Sequence, residues 1–178
     1  MMSTKLRLHL PALSIRLGGG AFFALALQLI AIFAPLGDDV PRRALFLLSY
    51  VILLGFVYLN LRRIGIAIIG IGLVLNFIPI AANGGLMPIT PETLERGDFP
   101  RDVQVGEWVP NSKDVLLEKE DARLWQLGDR FVLDDFLGGT IAYSIGDVVI
   151  ALGLVAFLVE MFAPRLRRVG PPPNHSLA

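Results

Sequence analysis

Cysteine is absent from the 178 residues, histidine occurs twice, and acidic side chains are missing from residues 1–37, 40–91 and 161–178. Without cysteine there are no disulfides, no thiolate metal ligands and no cysteine nucleophile, and the redox compartment stays open. His9 and His175 stand at opposite ends of the chain and read as solvated termini rather than as ligands. No HExxH pattern, phosphate loop or serine elbow is present. Net charge is zero, so electrostatics does not call for nucleic acid. The acidic pairs Asp38-Asp39 and Asp134-Asp135 fall far short of a roughly six-oxygen calcium site and read as solvated turns, so no metal and no other cofactor is expected.

What the chain has in excess is apolar sequence. It is 54% hydrophobic with a mean hydropathy of +0.62, too apolar for an ordinary soluble domain. Four apolar segments stand out: Gly19–Leu36, Ala44–Leu61, Ile64–Ala82 and Thr140–Ala163. A helix needs about 20 apolar residues to cross roughly 30 Å of hydrocarbon, so the first three are near the lower limit and the fourth is long enough to tilt. The acids gather mainly in residues 92–135. The expected fold is an all-α integral membrane protein: four transmembrane helices with a small extracytoplasmic cap between helices 3 and 4. Residues 1–18 form an amino-terminal cytoplasmic segment and residues 19–163 the membrane domain, which includes the outer segment 84–138. Residues 164–178 form a basic, proline-rich cytoplasmic tail. A cleaved leader is the lesser alternative for the first segment, because its best exit, Ala31-Ile32-Phe33-Ala34, is followed by Pro35.

Basic residues orient the helices. Lys5, Arg7 and Arg16 precede the first span, Arg62 and Arg63 join the second to the third, and Arg165, Arg167 and Arg168 follow the fourth. With that side cytoplasmic, as the positive-inside rule requires, both termini are cytoplasmic. Arg42 and Arg43 lie at an outer flank and run against the rule. Within the outer segment, Thr90-Pro91-Glu92 reads as the start of a helix that Gly97 stops. Ser112 is expected to cap a longer helix, Lys113–Leu127, closed by Gly128. Trp108 and Trp125 suit a headgroup layer.

Inside the spans, Gly139, Gly146 and Gly153 recur every seven residues, as do Gly65, Gly72 and Pro79. Small residues at that spacing let helix backbones approach closely, so the third and fourth spans are expected to pack seam to seam. Gln28, Asn76 and Asp147 fall about 10–12 Å from the outer helix ends, and Tyr50 slightly shallower. Asn76 and Asn83 share a face with Pro79, and Tyr143 and Ser144 lie one turn before Asp147. Asp147 is the only ionisable group well inside an apolar segment. A membrane carboxylate normally has a partner, either as structural glue or as a functional site for a cation, a proton or a polar ligand.

The run Leu75-Asn76-Phe77-Ile78-Pro79-Ile80-Ala81-Ala82-Asn83-Gly84-Gly85-Leu86-Met87-Pro88 resembles a signature of an uncharacterised bacterial membrane family, DUF5317. Leu127-Gly128-Asp129 and Ser144-Ile145-Gly146-Asp147 resemble two further motifs of that family, and the likeness spans about residues 20–163. Many members begin with an additional apolar helix, which this chain lacks or replaces with Lys5–Leu17. The resemblance implies a bacterial inner membrane and no activity, and it draws attention to Gly84, Gly85, Met87, Pro88 and Asp129. Small size, glycine seams and scarce catalytic groups favour a non-enzymatic accessory or scaffold subunit in the lipid bilayer, with a protein partner or a second copy of itself. The alternative is binding or transport of a small molecule or ion through a polar pocket at the outer ends of helices 3 and 4. A lipid-modifying enzyme has the least support, since only Asp147, Asp129 and Tyr143 are placed to act as acid or base.

Overall fold

A computed structural model describes residues 15–36, 39–97, 99, 102–136 and 139–162. Most of the amino-terminal segment and the whole of the carboxyl tail therefore lie outside the described residues, with Lys5, Arg7, His9, Arg165, Arg167, Arg168 and His175. Asp38 and Gly138 also lie outside them.

Three helices are long and apolar enough to cross a membrane: α2 (Asp39–Asn60), α3 (Ile64–Ala82) and α5 (Ile145–Phe162). A fourth apolar helix, α1 (Gly18–Phe33), has 16 residues and is shorter. It stops where Pro35 approaches, because the residue before a proline is driven out of the helical region; Ala34 is already extended. The helices pack in chain order, α1 on α2, α2 on α3 and α3 on α5. Their outward faces remain apolar, as on α5, where Leu152, Val155, Val159 and Phe162 form one exposed stripe.

The α3–α5 packing is the closest in the molecule, and glycine is the cause. A methyl group at Gly72 would come within 2.6 Å of the Gly146 carbonyl, and one at Gly65 within 2.3 Å of the Phe157 amide. Gly153 faces the Ile69 amide and the Gly65 carbonyl at 2.6 and 3.0 Å in the same sense. Backbone therefore meets backbone along the seam, which is what small residues permit in an apolar medium.

The segment between α3 and α5 corrects the all-α expectation. It holds two two-stranded sheets: β1 (Met87–Ile89) parallel to β2 (Asp114–Leu116), and β3 (Phe131–Phe136) antiparallel to β4 (Gly139–Tyr143). The short helix α4 (Pro91–Arg96) stands between β1 and β2, started by Pro91 and ended at Gly97 as the sequence predicts. The longer helix expected over Lys113–Leu127 does not form. Its first residues become β2, because the β1 edge takes them in register, Met87 opposite Asp114 and Ile89 opposite Leu116. Its last residues, Trp125–Leu127, make one 3₁₀ turn. Four charged residues in a row, Glu118–Asp121, leave little apolar face to hold a helix between them.

The last apolar helix, α5, is shorter than the expected Thr140–Ala163 for a related reason. Thr140, Ile141 and Tyr143 are β-branched or aromatic residues, and they pair with β3 instead of extending α5. Gly139 therefore belongs to a strand opposite Phe136, not to the glycine seam. The core runs from Phe46, Tyr50, Leu53 and Leu73 between the helices to Leu86, Met87 and Val115 beneath the sheet. A smaller cluster gathers Ile89, Leu94, Val109 and Leu116.

Candidate functional site

Where the intervening segment meets α3 and α5, five polar side chains converge. Lys113 enters from the residue before β2, fixed there because its carbonyl accepts the Met87 N–H at 3.0 Å. Its ammonium lies 2.8 Å from Asp147 Oδ2 and 3.4 Å from Asp129 Oδ2. Asp147, in the first turn of α5, also accepts from Asn76 Nδ2 at 2.7 Å and from the Ser144 N–H at 2.9 Å. The Ser144 hydroxyl sits 2.7 Å from Asn76 Oδ1 and 3.0 Å from Asp147 Oδ2, and it accepts the Asp147 N–H at 3.1 Å. Asn76 and Ser144 are fully buried. The Tyr50 ring packs 6.0 Å from Phe77, and its hydroxyl faces the same cluster.

Gly146 makes room for this arrangement. A methyl group there would stand 2.0 Å from Asn76 Oδ1. The glycine that lets α3 and α5 approach thus also admits the asparagine amide between them. Packing and polar chemistry depend on the same missing side chain.

Behind Lys113 lie two buried acids, Asp114 and Asp129, 3% and 2% exposed. Both are placed by β1: Asp114 pairs with Met87 across one edge, and Asp129 bridges Ile89 across the other, its N–H donating to the Pro88 carbonyl at 3.1 Å. Met87 and Ile89 point the same way, so the two carboxyls converge on one face, within hydrogen-bonding reach of each other. Asp114 Oδ1 and both oxygens of Asp129 are otherwise without a donor. Burial pushes the Asp114 carboxyl up to about 6, against the pull of Lys113. Burial also raises the Asp129 carboxyl well above its usual range, with Lys113 opposing it and Asp114 adding like charge. Lys113 itself is opposed by burial, but Asp129 and Asp147 outweigh that and hold the ammonium well above the usual lysine range. A proton taken up by the pair would supply the donor their oxygens lack.

An open cleft of about 340 Å³ lies beside this pair, lined by Phe99, Val109, Asn111, Thr140 and Ala142. Lys113, Asp114 and Asp129 line it as well, although Asp114 Oδ1 and both oxygens of Asp129 are buried. Among the described residues, no three His, Cys, Asp or Glu side chains are grouped as a metal site requires. The arrangement can therefore hold a charge network and a proton, and it fixes the intervening segment onto the helices.

The remaining candidate residues are distributed as follows. Asn83, at the end of α3, donates to the Pro79 and Arg123 carbonyls at 2.7 and 2.8 Å and accepts the Arg123 N–H at 2.9 Å. It is a second tie between α3 and the intervening segment, apart from the Asp147 cluster. Gly84 and Gly85 have φ of +75° and +104°, left-handed values that favour glycine, and they turn the chain against Arg43. Tyr143 stacks on Phe131 with ring centroids 5.4 Å apart and takes no part in the Asp147 network. Gln28 is half-buried on α1, which packs on α2, and it too stands outside the network.

Sequence reasoning missed Lys113 and Asp114, both assigned to the start of a helix. The chain has three lysines against thirteen arginines, and one lysine at the edge of an acidic block was the available signal. It also left Arg42 and Arg43 as exceptions to a charge rule, whereas both are structural. Arg42 is buried, donates to the Ala31 carbonyl and lies 3.6 Å over the Trp108 ring. Arg43 donates to the Gly84 carbonyl at 3.2 Å. They bind the start of α2 to α1 and to the intervening segment.

The model of one family, described as a family of unknown function (DUF5317), matches residues 12–159. Neither a curated protein nor a solved structure matches the chain.

Proposed function

For a chain that belongs to the DUF5317 family, whose function is unknown, we propose a non-enzymatic role as an accessory or scaffold subunit of a bacterial inner-membrane assembly. In this account α1, α2, α3 and α5 all span the bilayer, with both termini cytoplasmic and residues 84–138 forming an extracytoplasmic cap. The basic ends, Arg16 with Arg62 and Arg63, support that orientation. The sixteen residues of α1 suit a span at the short limit, its ends met by interfacial side chains.

The observation that carries the proposal is the Lys113–Asp147–Asn76–Ser144 cluster. Each member answers another, so its chemistry serves to hold the cap on the spans. A rigid cap presented on one side, above helices whose outer faces remain apolar, is the form of a part that docks to something else.

Photo-crosslinking in native membranes tests this. A photoreactive residue at Val155, on the exposed stripe of α5, is expected to capture a discrete protein band. Adducts of lipid alone from Val155, and likewise from a probe at Glu118 on the cap, would contradict it.

A second reading has one observation in its favour: the cleft beside Asp114 and Asp129. There, a small molecule with a hydrogen-bond donor would have to reach the buried carboxyl oxygens of two acids that line the cleft. Asp129→Asn removes charge and keeps shape at the cleft, so it tests the second reading, and Asp147→Asn tests the cluster of the first. Unchanged function in Asp147→Asn, with unfolding of Asp147→Leu, would leave that carboxyl a structural group.

A further inference from the structure

At the opposite end of the helices from Lys113, two chain segments meet around one cleft. Arg16 stands two residues before α1, and the turn Asn60–Arg63 joins α2 to α3. The cleft has a volume of about 530 Å³ and is lined by the three guanidinium-bearing residues Arg16, Arg62 and Arg63 together with Tyr58, Leu59 and Leu61.

Its shape is set in advance by Asn60, which is buried. The Arg16 N–H donates to Asn60 Oδ1 at 2.9 Å, and Asn60 Nδ2 donates back to the Arg16 carbonyl at 2.9 Å and to the Phe56 carbonyl at 2.8 Å. The Arg63 N–H closes the turn onto the Asn60 carbonyl at 3.0 Å. One asparagine therefore clamps the lead-in of α1 to the end of α2, which sets Arg16, Arg62 and Arg63 around one cleft. Among the described residues, none of the three arginines has a carboxylate within 4.0 Å. Glu160, at the same end of the helices, has its Oε1 engaged by the Gly65 N–H at 3.0 Å.

Three guanidinium groups without acids call for an anion, and their forked donors suit phosphate oxygens. The walls add a second requirement. Tyr58 is 74% exposed, Leu59 40% and Leu61 50%, so apolar surface flanks the basic group on the lipid side. A free phosphate leaves that surface bare, whereas a phospholipid covers both parts at once. We propose that this cleft binds the phosphodiester headgroup of an anionic phospholipid, with its acyl chains along Leu59 and Leu61. From the function proposed above, the inference takes only that these helix ends lie at a membrane surface.

Native mass spectrometry of the full chain in mild detergent tests it, with phosphatidylglycerol titrated against phosphatidylcholine of the same acyl chains. One phosphatidylglycerol should be retained in preference, and Arg62→Gln/Arg63→Gln should weaken it about 30-fold, roughly fivefold for each charge removed. Arg62→Lys/Arg63→Lys keeps the charge and should retain most of the binding, which separates lost attraction from lost fold. Arg16→Gln alone, at an exposed position outside the α2–α3 turn, should give a single fivefold loss. Equal retention of both lipids, or phosphatidylglycerol binding unaffected by the glutamine variants, would overturn the proposal. So would displacement of the lipid by millimolar inorganic phosphate, which would make the cleft a site for free anions. Thiol labelling of Leu61→Cys in intact membranes reads the membrane placement by itself, so its failure is distinct from failure of the lipid site.

Discussion

Lys113→Met replaces the central cation with an apolar side chain of similar length and leaves three acids behind. Removing one partner of a buried ion pair costs about 3–5 kcal/mol, because the other charge is left uncompensated. Here Asp147 keeps the Asn76 amide and the Ser144 N–H as donors, shares the single Ser144 hydroxyl proton with Asn76 Oδ1, and has its side chain 29% exposed. Asp129 loses its cation at 3.4 Å but can take up a proton. The expected loss is therefore toward the lower end, about 2–4 kcal/mol. Asp147→Asn should cost less, about 1–2 kcal/mol, since Lys113 keeps Asp129 and the asparagine still accepts from Ser144. In the double variant the two losses should fall short of their sum by about 1–2 kcal/mol, the signature of a direct pair. Reversible unfolding in mixed micelles, followed by far-ultraviolet circular dichroism, measures all three. A Lys113→Met variant within about 0.5 kcal/mol of the parent, or strictly additive losses, would refute the claim that Lys113 holds the cap to the helices.

Four further outcomes are expected. Gly146→Ala should destabilise the α3–α5 pair by about 1–3 kcal/mol or more, whereas Gly55→Ala, where nothing lies within 4 Å, should be tolerated; thermal unfolding in detergent compares them. Arg42→Met should lower stability by about 1–3 kcal/mol and raise Trp108 fluorescence accessibility to quenchers, because the Ala31 carbonyl and the indole face both lose their cation. Asp114 and Asp129 are raised by burial, so the folded state binds more protons than the unfolded one, and stability should fall as pH rises from about 4 through about 6 and beyond. Asp114→Asn should flatten the part of that fall below about pH 6, which pH-dependent unfolding would show. Lys113 is raised, so its contribution should persist to alkaline pH and be lost only above the ordinary lysine range.

The helices were legible in the sequence because their information is local. An apolar run of 18 or more residues, or a glycine every seventh residue, carries its meaning whatever lies elsewhere. Gly65, Gly72, Gly146 and Gly153 lie on the α3–α5 contact for that reason. The strands were not legible, because they are short and their partners are distant: β1 reaches β2 across about 27 residues, and its three residues contain a proline. Lys113 and Asp114 take their meaning from that pairing. On a helix they would face solvent; at the entry to β2 and on its first residue they lie beside Asp129. Asn76 and Asp147 could be placed at one depth by counting, but their meeting required the rotation of both helices, which Gly146 fixes through the room it leaves for the asparagine. Gln28 sits at the same counted depth and misses the cluster, because α1 packs on the far side of α2.

Native mass spectrometry of the chain extracted gently from its own membranes bears most directly on the subunit proposal. A second protein at fixed stoichiometry, retained by the parent and by Asp147→Asn, is the predicted result. A lone chain carrying a defined small-molecule mass, with no protein bound, would contradict it and turn attention to the cleft beside Asp114 and Asp129.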